Sequence, residues 1–444
     1  MILQLPQGSS MRHRDFVFGV ATASFQIEGA RAQRLPCIWD TFCQVQGNIA
    51  DGTNGDVACD HVNLWQSDIE LIANLGVDAY RLSISWPRVI NVDGSVNTEG
   101  MQFYLQILDA LNAKNIKVFV TLYHWDLPQH LEDKGGWLNR NTAFKFQEYV
   151  EQVVETFGDR VYAYATLNEP FCSAYLGYEI GIHAPGKTGR KNGRQAAHHL
   201  LLAHGLAMQV LNQRSPKTLN GIVLNFTPGY ALSDSSADKL ATIAANDYHN
   251  YWYASPVLSG EYPPFIYQLP LDERPDVLPG DMEIIHQPMG FLGVNFYTRA
   301  VYQADKEQFF KEVSLSNVKR TDIGWEIYPQ AFTDLLLELQ QRYELPDIYI
   351  TENGAAFDDC IEQGEVNDIK RIDYYQQHLL AIDKAMVQGV NVKGYFAWSL
   401  MDNFEWAEGY SKRFGIVYVD YATQQRTVKQ SGQAFKRFIE ESKS

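Results

Sequence analysis

The sequence predicts an α/β protein, a single (β/α)8 barrel of the TIM type forming one domain over residues 1–444. Three observations carry that expectation. Eight short apolar or alternating runs recur along the chain, amphipathic helical segments separate them, and no Pro/Ser linker, composition break or internal repeat divides it. Eight is the strand count of a closed barrel, but a doubly wound open sheet uses the same alternation, so the count alone does not prove closure.

The eight candidate strands are Phe16–Ser24, Asp78–Trp86, Lys117–Asp126, Tyr162–Pro170, Gly221–Pro228, Phe291–Arg299, Asp347–Gly354 and Val392–Asp402. Between them the period changes from two to near 3.6. In Asn63–Leu75, the residues Leu64, Ile69, Ile72 and Leu75 return to one face, and Gly76 can supply the left-handed stop. Asn141–Phe157 sets Phe146, Tyr149, Val150, Val153 and Val154 on one stripe ahead of Gly158, and Asp368–Gln388 repeats the design ahead of Gly389.

Composition narrows the function. The formal net charge of −16 argues against a nucleic-acid partner, whose phosphates demand clustered Lys and Arg, and against an anionic membrane surface. No apolar run reaches the roughly 18–20 residues that span a bilayer, and the opening residues lack the order of a secretory signal. Five scattered cysteines (Cys37, Cys43, Cys59, Cys172, Cys360) show neither a CxxC nor a metal-binding spacing, which suits reduced thiols and a cytoplasmic setting.

A barrel works at the C-terminal ends of its strands. There the sequence sets Gln26 and Glu28, Arg81 and Trp86, His124-Trp125-Asp126, Asn168-Glu169-Pro170, Asn295-Phe296-Tyr297, Thr351-Glu352-Asn353-Gly354, and Trp398 running into Asn403-Phe404-Glu405-Trp406. Amides, carboxylates and a histidine match the paired hydroxyls of a pyranose, and indoles match its C–H face. A phosphate ligand would call for Arg, Lys or a glycine-rich nest. Glu169 and Glu352 close strands four and seven, nearly opposite in an eight-strand ring. Glycosidic cleavage needs such a pair, one carboxylic acid and one carboxylate, with environments that separate their ionisation. Arg81, buried within its strand, needs an anion, and Glu352 is the expected partner.

Four segments carry a family resemblance. FVFGVATASFQIE at Phe16–Glu28, TLNEP at Thr166–Pro170, ITENG at Ile350–Gly354 and WSLMDNFEW at Trp398–Trp406 resemble, in order, the signatures of a family-1 glycoside hydrolase of the β-glucosidase type, over about Phe16 to Phe435. The resemblance implies Glu169 as general acid/base, Glu352 as nucleophile and Asn168 as the contact to the 2-hydroxyl. It implies a glycone pocket of Gln26, His124, Trp125, Glu405 and Trp406 with Trp398 as stacking platform, and substrate-lining positions at Asn295, Tyr297, Trp325 and Phe414. Arg81 and Tyr297 would support the nucleophile, and Phe171, Cys172 and His183 would face the aglycone. Where 6-phospho-glycosidases of the family hold a small residue, this chain has Glu405, which implies an unphosphorylated sugar. The implied reaction is hydrolysis of a terminal β-D-glucosyl residue, with galactosyl and fucosyl side activities, through a covalent glycosyl-enzyme and with retention. The partner is a small carbohydrate, and the chemistry requires no cofactor or metal.

Two rivals share the residues: a barrel that only binds sugar, which would be expected to lose one carboxylate, and a transglycosidase, which differs in its acceptor. His198, His199 and His204 lack the spacing and helical Glu of a zinc site and are expected in packing and capping roles. Cys172, with no base identified near it, is expected as a small wall residue.

Overall fold

The computed structural model describes residues 2–443. Eight parallel strands close into a barrel: β1 Val17–Ala21, β2 Ala79–Ser83, β3 Lys117–Tyr123, β4 Ala163–Asn168, β5 Leu219–Phe226, β6 Phe291–Phe296, β7 Asp347–Asn353 and β8 Val392–Trp398. Each strand pairs with its sequence neighbours and β8 returns to β1, with Ala21 beside Trp398 and Gly19 beside Ala79.

All eight expected strands are present, but each stops earlier than its candidate run does. The reason lies in the backbone just past the strand ends. Trp125 (φ 77°), two residues past β3, and Glu169 (φ 46°), directly after β4, sit in the left-handed region, which ends the extended ladder there. The run after β1 becomes a short helix, Ser24–Ile27, and the run after β2 becomes Trp86–Val89. The fifth barrel strand ends at Phe226, and just beyond the candidate run Gly229–Ala231 joins Ala300–Gln303 and Lys311–Glu312 in a separate small sheet. Of the expected helices, Asn141–Phe157 matches its prediction, and the others span His61–Asn74 and Ile369–Val387. Gly76, Gly158 and Gly389 all take positive φ, as their stop role requires.

The lower barrel lumen is a packed core. Phe119 reaches the rings of Phe396 (4.8 Å), Tyr349 (5.3 Å) and Phe291 (6.4 Å), and Ala79, Ala163 and Ala165 leave room for them. Above this aromatic layer the inward residues turn polar, with Arg81, Asn168, Asn295 and Glu352 all buried. The core therefore forms the floor of a site that opens at the C-terminal strand ends. No helix among the described residues is long and apolar enough to cross a membrane.

Candidate active site

Glu352 lies near the end of β7, in register with Asn295 of β6. Arg81, 1 % exposed, reaches it from β2 and donates from Nη1 to Oε1 at 2.6 Å, while Tyr297 donates its hydroxyl to Oε2 at 2.5 Å. Each carboxylate oxygen thus has its own donor, one of them a permanent cation. Burial and the charges of Glu352 and Glu169 push the Tyr297 phenol well above its ordinary range, so it remains a donor. Gly354 lets the β7 turn pass under β8, since a Cβ there would lie 1.8 Å from the Trp398 carbonyl oxygen.

Glu169 follows β4 directly, and its N–H donates to the Val223 carbonyl of β5 at 2.9 Å. Its donors are neutral groups: Asn295 Nδ2 to Oε1 at 2.7 Å and Cys172 Sγ to Oε2 at 3.1 Å. Burial first, and the Glu352 charge second, push its carboxyl up to about 8. Two carboxyls on nearly opposite walls therefore live in unlike environments.

Donor–acceptor logic fixes the groups between them. Arg81 can only donate, so the Asn168 atom 2.7 Å from its Nη2 is the oxygen Oδ1. The Asn295 atom 3.1 Å from that oxygen must then be its Nδ2, the same group that meets Glu169. Asn168 Nδ2 faces His124 Nε2 at 3.1 Å, which assigns the ring proton to Nδ1. Burial, with Arg81 nearby, holds His124 well below its usual range and hence neutral. Its Nδ1–H is buried without a partner among the described residues, as is Gln26 Oε1. A donor and an acceptor are thus left for a ligand. Gln26 Nε2 is occupied by Asn403 Oδ1 (3.0 Å) and the Phe404 carbonyl (2.8 Å).

Of these residues, His124, Glu169, Tyr297 and Glu352 line one cavity of about 600 Å³ together with Trp398, Glu405, Trp406, Phe414 and Trp325. Trp398 stacks with His124 (6.0 Å, 18°), and Phe414 and Trp325 flank Tyr297. Glu405 is also pushed up to about 8, by burial and then by Glu352, Glu169 and Glu408. Phe171, Cys172 and His183 stand on the outer wall, where Phe171 stacks on Tyr175 at 5.0 Å.

Several sequence expectations are corrected here. Trp125, expected to hydrogen-bond a sugar, donates its indole N–H to the Asn168 carbonyl at 2.8 Å, leaving its ring to pack on Trp406. Asn168 has both oxygen contacts and one amide hydrogen engaged, so one N–H remains for a ligand. Glu28 turns away to Arg88 and Tyr104, Asp126 toward Ser24, and Trp86 stacks on Tyr149. Cys172 does have an acid–base neighbour, Glu169. The three histidines bond to separate partners: His198 to Asp281 and Tyr262, His199 to the Trp137 carbonyl and Gln195, and His204 to Thr166.

Some lining residues had no reading in the sequence. Asn225 stands at the end of β5, where the strand-end rule could have found it. His249 and Asn250 come from a π-helical turn at Asp247–Tyr251, for which no local sequence signal exists. Asn250 also pins the chain after β5, through Thr227 N–H and carbonyl contacts of 2.9 Å each.

The model of the family described as glycosyl hydrolase family 1 matches residues 9–444. A β-glucosidase from an Agrobacterium species is 46% identical over 427 residues, covering 94% of this chain and 93% of that protein. β-Glucosidase A of Thermotoga maritima is 44% identical, covering 96% of each. A solved Thermotoga maritima family 1 glycoside hydrolase, complexed with a cyclophellitol analogue described as a transition-state mimic, superposes with a TM-score of 0.94 at 44% identity, covering 97% of this chain and 98% of that one. The barrel closes as the sequence predicted, and the family is the one its four segments resemble: the chain belongs to glycosyl hydrolase family 1.

Proposed function

We propose that the protein is a retaining β-glycosidase that releases the terminal β-D-glucosyl residue from cellobiose-like oligosaccharides and from aryl or alkyl β-glucosides. β-Galactosides and β-fucosides are side substrates. The observation that carries this reading is the unlike pair at the ends of β4 and β7. Glu352 has the Arg81 cation and a phenol on its two oxygens, whereas Glu169 has an amide, a thiol and a carboxyl raised to about 8.

In this mechanism Glu352 attacks the anomeric carbon as the C1–O bond breaks, and Glu169 passes its proton to the departing oxygen. Forming the glycosyl ester consumes the Glu352 charge. One of the two causes that raise Glu169 then disappears, so its basicity falls toward what the second step needs. Glu169 takes a proton from water, whose oxygen bonds to C1 as the ester breaks. The unpartnered His124 Nδ1–H and Gln26 Oε1 offer the glycone one donor and one acceptor, and the Glu405 carboxyl beside them disfavours a 6-phosphate. The five unpaired thiols favour a cytoplasmic enzyme.

Proton NMR of the sugar freed from an aryl β-D-glucoside, recorded before mutarotation, tests the reading. The β-anomer is expected first, and an α-anomer would remove Glu352 from its role.

A further inference from the structure

The mechanism so far makes no use of the contact between Cys172 Sγ and Glu169 Oε2. Cys172 sits at the start of a π-helical turn, Cys172–Glu179, three residues beyond Glu169, and is 8 % exposed. Its N–H bonds to the Glu169 carbonyl at 2.9 Å, so backbone and side chain both hold the thiol against the carboxyl. On the other side, the Arg81–Asn168–Asn295 chain of fixed donors commits Asn295 Nδ2 to Oε1. Thr351 Oγ1, 2.7 Å from Asn295 Oδ1, secures the same amide orientation. A carboxylic acid accepts best at its carbonyl oxygen. Oε1 is therefore the carbonyl, and the acid proton belongs on Oε2.

We propose that Cys172 is a positioning residue for proton transfer: its thiol donates to Oε2 when Glu169 is a carboxylate and accepts from the Oε2 hydroxyl when Glu169 is an acid, so that Oε2 alone carries the transferred proton. This deepens the reading of Glu169 as acid/base and rests on it. In the first step the Oε2 proton goes to the glycosidic oxygen as C1–O breaks and the Glu352–C1 bond forms. In the second a water proton returns to Oε2 as the water oxygen takes C1. The thiol keeps its own proton throughout, because burial and the neighbouring carboxylates push it well above the ordinary thiol range.

The other titratable groups whose charge acts on Glu169 are Glu352 of β7, Arg81 of β2, Tyr297 after β6 and Glu405 after β8, and neutral His124 after β3 lines the same cavity. None of them bonds to Oε2, so a change at position 172 acts on that oxygen directly. A neutral donor lowers the proton affinity of a carboxylate, and a hydroxyl donates more strongly than a thiol.

The test compares pH profiles of kcat/KM for the intact enzyme, Cys172→Ala and Cys172→Ser on an aryl β-glucoside. Cys172→Ala should move the alkaline limb up by about half a unit to one unit, and Cys172→Ser should move it down by a similar amount. A packing role alone would lower rates or stability without shifting the two variants in opposite directions, and coincident limbs would overturn the proposal. A second measurement does not depend on turnover. The infrared S–H stretch lost in Cys172→Ala should shift as Glu169 ionises and stay fixed across pH in Glu169→Gln. A band that ignores pH in the intact enzyme refutes the hydrogen bond. An alkaline limb that survives unchanged in Glu169→Gln refutes instead the acid/base reading beneath it.

Discussion

Replacing Glu352 by Gln removes one negative charge from a buried site while keeping its volume, and it isolates the cause that couples the two carboxyls. Glu169 stands at about 8 against an ordinary 4.5, with burial as the larger cause and the Glu352 charge as the second. A retaining pair lies about 5.5 Å apart, and at an effective dielectric of about 20 a unit charge at that distance contributes about 3 kcal/mol. At about 1.4 kcal/mol per pH unit, Glu352→Gln should lower the Glu169 midpoint by about 2, toward 6. The sign follows from the charge: with the anion gone, the ionised form of Glu169 costs less. The assay is a carbon-13 titration of protein labelled at the glutamate side-chain carboxyl carbon, with the resonance assigned by its loss in the Glu169→Gln/Glu352→Gln double variant. A midpoint that stays at about 8 would show that burial alone raises Glu169. It would also remove the argument that forming the glycosyl ester turns an acid into a base.

Three further outcomes are expected. Glu169→Ala should slow hydrolysis of alkyl glucosides by about 100- to 10,000-fold while sparing substrates with acidic phenol leaving groups, and equal losses across a leaving-group series would refute its role as acid. Arg81→Met should destabilise the fold by about 3–5 kcal/mol in urea unfolding, because it leaves Glu352 buried without its cation. Arg81→Lys should not restore activity, since only the guanidinium fork spans Glu352 and Asn168 together, and full rescue by lysine would refute that geometry.

The barrel and its two carboxyls were legible for a physical reason. Strand runs and helical stripes are local periodicities, and a parallel barrel places every strand end on one rim, so position along the chain translates into position at the site. Arg81 was legible because an arginine inside an apolar strand must find an anion. The strand-end rule, in contrast, says too little at Glu28, Asp126 and Trp86, which share a rim address with Gln26 and His124 but turn toward Arg88, Ser24 and Tyr149. Sequence position places a residue near the rim without choosing the side of the backbone from which its side chain leaves.

By itself, the sequence determined the alternation of strands and helices, the family, and the identities of the acidic and amide residues at the strand ends, because these are properties of local pattern. The tertiary structure alone decided which hydrogen bond each of those groups makes. It assigned the Trp125 N–H to the Asn168 carbonyl, fixed the tautomer of His124, set Cys172 against Oε2 of Glu169 and raised Glu169 and Glu405 together. Those choices depend on left-handed turns at Trp125, Glu169 and Trp406 and on contacts between residues as far apart as Arg81 and Glu352. Burial and charge act through distance in space, which the order of residues does not contain.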